Sequence, residues 1–245
     1  MTEDTVLILG GRSDIGLSIA QQFAKSGHNI QLAAKNSDKL EREKTDIETL
    51  YQVKVTTHEF DALELQKHEN FVASLPVLPN IAICAVGLLG NQKSEEYDYQ
   101  SAVNIIRSNF EGPANIFSIL ANHFEKRGSG TLVGITSVSG IRGRASNYIY
   151  GSAKSGFTTY LSGLRNRQVK KGVHVVTVLL GFVDTKMTKN IYLPKYLTAN
   201  VSLVGLKVKK ACIDKKNIIY VKPIWRWIML VIKMIPEKYF KFMNF

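Results

Sequence analysis

Residues 5–16 read Thr5-Val-Leu-Ile-Leu-Gly-Gly-Arg-Ser-Asp-Ile-Gly16, and their pattern is the clearest indication of the fold. Five residues typical of a buried strand lead directly into a glycine-rich turn. Apolar residues then recur at the spacing of one helix face, at Ile15, Ile19, Ala20, Phe23 and Ala24. A strand, a glycine-rich turn and a helix in this order are typical of the first unit of a nucleotide-binding α/β fold.

The rest of the chain continues this alternation of strands and helices. Further strand-like runs lie at 29–34, 53–57, 81–86, 131–136, 173–179 and 218–221. Such alternation predicts a parallel sheet with helices on both faces, and 245 residues with 45% hydrophobic content suffice for one substantial core. We therefore predict a single Rossmann-type, doubly wound α/β domain with a seven-stranded parallel sheet at 1–222. A basic, apolar helical tail is predicted at 223–245.

The glycine-rich turn predicts a nucleotide site. Glycines let the backbone approach a pyrophosphate, which can rest on the first N–H groups of the following helix. An acidic side chain usually meets a free ribose 2′-hydroxyl at the end of the second strand, but Lys35 stands there, and Arg12 lies in the turn. Two cations suit a 2′-phosphate, so the sequence favours NADP(H), while Asp38 keeps NAD(H) open. The predicted contacts in this part of the chain are Gly10, Arg12, Ser13, Asp14, Ile15, Gly16 and Lys35.

Tyr150 and Lys154 stand one helical turn apart, and Ser137 lies thirteen residues before the tyrosine. Residues at i and i+4 share one face of a helix, so the ammonium can lie beside the phenol. A nearby cation lowers a phenol pKa from its usual value near ~10 and makes the tyrosine a usable general acid–base. With a serine on the same reacting oxygen, the group predicts proton transfer at a carbonyl or alcohol oxygen while a hydride moves at the carbon.

Together these motifs resemble the short-chain dehydrogenase/reductase family, and the resemblance covers most of the chain. The segment Ser108-Asn-Phe-Glu-Gly112 is similar to the family's asparagine motif, and Ile135-Thr-Ser-Val-Ser-Gly140 is similar to its serine motif. The resemblance implies an oxidoreductase with a catalytic tetrad of Asn109, Ser137, Tyr150 and Lys154. It also implies cofactor contacts from Asp61, Ala62, Ala85, Gly87, Tyr150, Lys154, Gly181, Val183 and Thr185.

Three segments depart from the family pattern. Asp14 stands where the middle glycine of the turn is usual, and Cys84-Ala-Val-Gly87 keeps only the last glycine of an Asn-Asn-Ala-Gly segment. The usual proline is replaced in Leu180-Gly-Phe-Val-Asp-Thr185. No group that performs chemistry is lost, so we expect a working enzyme. The carboxylate of Asp14 would weaken cofactor binding unless it turns away as a helix cap.

Some segments resemble the decaprenylphosphoryl-2-keto-ribose reductases in particular. They are residues 10–16, Ala85-Val-Gly-Leu-Leu-Gly90, Arg142-Gly-Arg-Ala-Ser-Asn-Tyr148 and Ser162-Gly-Leu-Arg-Asn-Arg167. The resemblance implies reduction of a keto-sugar carried on a lipid phosphate during cell-envelope synthesis. Guanidinium groups between the serine and the tyrosine could bind a phosphate bidentately. The candidate substrate contacts are therefore Arg142, Arg144 and Tyr148.

Almost all of the net charge of +12 belongs to the last quarter of the chain. Residues 186–245 hold 13 Lys/Arg against 2 Asp/Glu, whereas residues 1–185 are nearly neutral. The apolar run between Pro223 and Pro236 is too short to span a bilayer, which takes about 20 residues. Aromatic residues interleaved with lysines favour a helix lying on an anionic membrane surface. We also expect a homo-oligomer, a dimer or a tetramer, and packing of the tail on a neighbouring subunit is the alternative to membrane contact.

Other features narrow the choice of partner and compartment. No nucleic-acid-reading motif accompanies the basic charge, so we expect no nucleic-acid partner. The two cysteines, Cys84 and Cys212, and the scattered histidines predict no metal site. Reduced cysteines favour a cytoplasmic protein, peripheral on the inner face of the membrane if the tail binds lipid.

Two other functions stay open at this point. The same chemistry would serve the reduction of a fatty-acyl, steroid or other lipid ketone, because the tail is apolar. A non-catalytic nucleotide sensor or scaffold is compatible with the altered glycine turn. The intact tetrad argues against that sensor, which has no need for a tuned tyrosine.

Overall fold

The strands of the protein were located in a computed structural model that describes residues 4–189 and 192–243. They are β1 (Thr5–Leu9), β2 (Asn29–Ala34), β3 (Val55–Glu59), β4 (Ile81–Cys84), β5 (Gly130–Ser137), β6 (Val173–Leu180), β7 (Phe182–Val183), β8 (Thr198–Ala199) and β9 (Ile218–Tyr220). Within the described residues, seven of them form one parallel sheet in the order β3-β2-β1-β4-β5-β6-β9, and β7 pairs with β8 apart from it. The predicted seven-stranded parallel sheet is confirmed.

Helices cover both faces of the sheet. They are α1 (Asp14–Ala24), α2 (Glu41–Tyr51), α3 (His68–Ser74), α4 (Gln92–Glu95), α5 (Tyr99–Ile106), α6 (Gly112–Arg127), α7 (Tyr148–Gln168), α8 (Val201–Ile213), α9 (Ile224–Met234) and α10 (Glu237–Phe240). α1, α2 and α8 pack on one face, and α3, α6 and α7 pack on the other. Strand β1 is buried along its whole length, as expected for a parallel strand covered on both faces.

The strand order reverses between β1 and β4. From β1 the chain builds outward to β2 and β3, and then crosses to β4 on the other side of β1. Ligands of open α/β sheets bind at such a switch point, outside the carboxyl ends of the strands. The glycine-rich turn follows β1, so it lies at this crevice.

The C-terminal tail packs on the main body of the protein. Trp225 and Met229 of α9 are buried against Val138 and Leu179, which belong to the serine segment and to β6. The predicted domain boundary at residue 222 stays a prediction. Residues 1–3, 190–191 and 244–245 lie outside the described part of the chain. In the described part, no helix has the length and apolar character needed to cross a membrane.

Candidate active site

The glycine-rich turn is shaped by close backbone approaches. Gly10 has a φ of +90°, which favours glycine, and a Cβ there would lie 2.8 Å from the carbonyl carbon of Ala85. Ser13 caps α1, because its Oγ accepts from the N–H of Gly16 at 2.9 Å and donates to the Gly10 carbonyl at 2.8 Å. The turn therefore holds the N-terminus of α1 at the carboxyl edge of β1, next to the segment that follows β4.

Asp14 does not cap its own helix. Its Oδ2 accepts from the backbone N–H of Lys186 at 2.7 Å, and its Oδ1 lies 3.6 Å from the Lys186 ammonium. Lys186 directly follows Thr185, so Asp14 ties the segment after β7 to the glycine turn. Sequence reasoning did not identify Lys186, because 172 residues separate these two partners.

Lys35 and Arg12 meet at the end of β2. Nη1 of Arg12 donates to the carbonyl oxygen of Lys35 at 3.1 Å, and the Lys35 ammonium lies 2.8 Å from Oδ2 of Asp61. The hydrogen bond and charge of Asp61 raise the pKa of Lys35. Three residues predicted to surround the adenosine are thus in contact, and the buried Ala62 follows Asp61.

Ser137, Tyr150 and Lys154 converge where β5 ends and α7 begins. Oγ of Ser137 accepts from the N–H of Ser139 at 3.1 Å and donates to the carbonyl of Leu180 at 3.4 Å. The serine hydroxyl is also close enough to Tyr150 to lower the pKa of its phenol. The Lys154 ammonium lies 5.8 Å from the centroid of the Tyr150 ring and donates to the carbonyl of Ile135 at 3.1 Å. The predicted shared face of α7 is therefore present, with the lysine side chain buried.

Burial dominates the electrostatics of this group. It raises the pKa of Tyr150 to about 12, against the effect of the hydrogen bond with Ser137. It lowers the pKa of Lys154 to about 8. The phenol pKa thus moves opposite to the sequence expectation, because desolvation disfavours the charged phenolate more than its neighbours favour it.

Asn109 lies in a π-helical turn, Arg107–Glu111, between α5 and α6. Such turns are frequent at functional sites. The Asn109 side chain is fully buried, and its Nδ2 donates to the carbonyls of Leu88 at 2.7 Å and Ile105 at 2.9 Å. A Cβ on Gly87 would lie 2.9 Å from Oδ1 of Asn109 and 3.3 Å from Nζ of Lys154. Gly87 therefore brings the asparagine and the lysine to one place.

The segment after β6 faces the tail. A Cβ on Gly181 would overlap the indole of Trp225, whose Nε1 donates to the carbonyl of Leu197 at 3.0 Å. Val183 is buried, and Thr185 forms a capping box with Thr188. Trp225 therefore lines this region, although the sequence assigned it only to the tail. Gly181, which leaves room for the indole, is the sequence signal for this contact.

The three candidate substrate residues have different surroundings. Arg142 is bound by the tail, through the carbonyls of Ile232 at 2.6 Å and Ile235 at 2.5 Å. Nη2 of Arg144 donates to Oγ of Ser139 at 2.9 Å, two residues from the candidate catalytic serine. Tyr148 is exposed. Among the described residues, Arg142 has an ionic partner, Glu237, whereas Arg144 has none. Arg144 is therefore the arginine that lies close to the Ser137 segment with its charge unpaired.

The fold and the site together define an oxidoreductase of the Rossmann type. The sequence matches the family model for short chain dehydrogenase over residues 4–195, and the chain belongs to that family. An uncharacterized oxidoreductase of Mycobacterium tuberculosis is 33% identical over 237 residues, covering 95% of this chain and 94% of that protein.

Two solved structures share the fold. A short-chain dehydrogenase from Sphingobium yanoikuyae in complex with NADPH has a TM-score of 0.82 and 21% identity, covering 96% of this chain and 97% of that one. A 3-oxoacyl-[acyl-carrier protein] reductase from Brucella melitensis in complex with NAD has a TM-score of 0.81 and 19% identity, covering 91% and 96%.

Proposed function

We propose that this oxidoreductase is an NAD(P)H-dependent ketoreductase that converts a ketone into an alcohol. The observation that carries the proposal is the convergence of Ser137, Tyr150 and Lys154. The Lys154 ammonium lies 5.8 Å from the centroid of the Tyr150 ring, and the Ser137 hydroxyl lowers the pKa of the phenol. The glycine-rich turn also holds the N-terminus of α1 at the carboxyl edge of β1, where the first N–H groups of a helix suit the pyrophosphate of a nicotinamide cofactor. When bound, that cofactor supplies the hydride.

The side chains of the site have separate roles in the proton transfer and in holding the bound molecules. Tyr150 donates its phenolic proton to the substrate oxygen as negative charge develops there, and Ser137 hydrogen-bonds the same oxygen. Lys154 stabilises the phenolate left on the tyrosine and holds the cofactor ribose. Asn109 keeps Leu88 in place through its amide and positions a water that links the lysine to solvent.

The high pKa of Tyr150 fits the direction of reduction. A phenol with a pKa of about 12 is protonated at neutral pH, so it holds the proton that a developing alkoxide needs. Oxidation of an alcohol would instead require the phenolate. At neutral pH the tyrosine therefore carries the proton that the reduction consumes.

The proposed cofactor preference is based on the residues at the end of β2. Nη1 of Arg12 donates to the backbone carbonyl of Lys35, so its guanidinium lies at the end of β2 beside a second basic residue. A pair of basic residues suits the 2′-phosphate of NADP(H). Asp61 holds the Lys35 ammonium, so that ammonium would have to turn from Asp61 to reach the phosphate. NADP(H) is proposed as the preferred cofactor, with NAD(H) as the alternative.

A keto-sugar linked to a phospholipid or nucleotide is the proposed substrate, acting in cell-envelope synthesis. Arg144 supports it, because its guanidinium lies beside the serine segment and its Nε is buried without a partner. Arg142 supports it less, since the tail already binds this side chain. A lipid or steroid ketone is the second candidate, favoured by the apolar wall that Trp225 adds. A non-catalytic sensor is the third.

The surroundings of the protein are part of the proposal. We propose a cytoplasmic homo-oligomer that contacts the inner face of the membrane peripherally through residues 223–245. The basic charge of the tail supports the membrane contact. Contact of the tail with another subunit is the alternative.

The test is a fluorescence titration of the whole chain with NADPH and NADH, followed by turnover with a panel of ketones. We expect tighter binding of NADPH.

Tyr150→Phe should lower kcat by at least about a thousandfold, because a general acid and its linked hydrogen bonds are lost together, while cofactor affinity changes little. Tyr99→Phe, at an exposed tyrosine of α5, is the control. Full turnover in Tyr150→Phe would refute the proposed ketoreductase activity. Binding of neither cofactor would favour the non-catalytic scaffold instead.

A further inference from the structure

Helix α9 is apolar on two opposite faces. Its inner face, with Trp225 and Met229, is buried on the protein. Its outer face carries large apolar side chains with exposed fractions of 62% for Trp227, 48% for Leu230, 62% for Val231 and 74% for Met234. A helix on the surface of a protein normally turns polar residues outward, so this outer face has the composition of a contact surface.

Basic residues frame this outer face. Arg226 and Lys233 lie on α9 itself, and Lys238 and Lys241 follow in and after α10. The single acidic residue between 223 and 243, Glu237, is paired with Arg142 at 2.9 Å. Aromatic rings also accompany the cations, since Phe242 is 78% exposed with the Lys241 ammonium 5.1 Å from its centroid. The tail therefore combines an exposed apolar helix face with basic residues on the same helix and just after it.

We propose that the outer face of α9, with Phe242, docks on an anionic lipid surface. Eleven helical residues are about 16 Å long, so α9 lies in the headgroup region with its axis along the membrane. Apolar and aromatic side chains enter the acyl boundary, and lysines and arginines meet the lipid phosphates. The inference deepens the proposed membrane contact by naming the residues and the lipid chemistry, and it rests on the proposed function only for the substrate that the membrane would deliver.

A second copy of the chain fits this face less well than a bilayer does. In a two-fold contact the same surface meets itself. Arg226, Lys233 and Lys238 of one copy would then approach those of the other, and like charges in partly desolvated surroundings repel. Anionic lipid supplies the opposite charge for these basic residues.

Arg142 links the docking surface to the candidate active site. It binds the carbonyls at the end of α9 and the carboxylate of Glu237, and its guanidinium carbon lies 3.6 Å from the centroid of the Phe240 ring. The same arginine belongs to the segment between Ser137 and Tyr150. A membrane that holds the outer face of α9 is therefore connected through this helix and Arg142 to the loop that borders the substrate side of the site.

The test is sedimentation of the whole chain with vesicles of phosphatidylglycerol and phosphatidylcholine in equal parts, and with vesicles of phosphatidylcholine alone. We expect the chain to pellet with the anionic vesicles and to be released by salt. The triple variant Trp227→Ser, Leu230→Ser and Met234→Ser should bind at least about tenfold less. The matched control, Leu50→Ser with Val169→Ser, removes equally exposed apolar side chains elsewhere and should bind like the unaltered chain.

Further measurements separate insertion from folding defects and from self-association. Trp227→Phe should still pellet but lose the blue shift of tryptophan fluorescence, because the remaining Trp225 is already buried. Equal pelleting of the triple variant, or equal binding to neutral vesicles, would overturn the proposal. The proposal would also be overturned if the unaltered chain bound no vesicles and were an oligomer, while the triple variant were a monomer. NADPH titration without vesicles tests the ketoreductase separately, so failure of one proposal leaves the other intact.

Discussion

At the scale of single residues, burial sets the working range of the candidate acid. Lys154 must carry its charge to stabilise the phenolate of Tyr150, and its pKa is lowered to about 8 by burial. Ketone reduction should therefore be constant below about pH 7 and should fall about tenfold per pH unit above pH 8, as the ammonium loses its proton. The measurement is kcat against pH at saturating NADPH. Lys154→Arg, which stays charged, should abolish the fall even if its rate is lower, and a flat profile to pH 10 in the unaltered chain would contradict this role.

Asp14 poses a second question at this scale, because its carboxylate both binds Lys186 and lies at the start of α1. Asp14→Asn keeps an oxygen acceptor for the Lys186 N–H but removes the negative charge, whereas Asp14→Ala removes both. A hydrogen bond between neutral groups contributes about 0.5–1.5 kcal/mol, so Asp14→Ala should bind NADPH about twofold to tenfold more weakly than Asp14→Asn. Fluorescence titration measures both affinities. Equal affinities would mean that the Asp14–Lys186 contact does not hold the cofactor region.

At the scale of elements, Arg142 fastens α9 and α10 to the serine–tyrosine segment. Its side chain is only 14% exposed and makes three hydrogen bonds to the tail. Arg142→Ala should lower the free energy of unfolding by about 1–3 kcal/mol and speed hydrogen exchange in residues 230–240. Arg42→Ala, at an exposed arginine of α2, is the control. Unchanged exchange in the tail would show that Trp225 and Met229 hold these helices without the arginine.

At the scale of the whole molecule, the sequence predicted contacts that local patterns encode. The strands were found because buried parallel strands are apolar runs, although β3 lies two residues later than expected, at Val55–Glu59. The face shared by Tyr150 and Lys154 follows from helical spacing alone. The hold of Arg142 on the tail could not be predicted, because its partners lie 90 to 95 residues away and no local pattern records them. Trp225 was likewise assigned to a peripheral tail, since only the fold brings it to Gly181.

The place of Trp225 decides whether the tail belongs to the same folding unit as the sheet. The indole is 5% exposed, fills the space above Gly181 and packs edge-on against Phe182 with ring centroids 5.3 Å apart. Trp225→Ala should therefore cost about 3–5 kcal/mol in one cooperative transition, seen equally by far-ultraviolet circular dichroism and by the fluorescence of Trp227. Trp227→Ala, at the exposed neighbour, should leave the transition seen by circular dichroism within about 0.5 kcal/mol. Two separate transitions would mean that residues 223–245 unfold independently, and the predicted boundary at residue 222 would then be a boundary of stability as well as of composition.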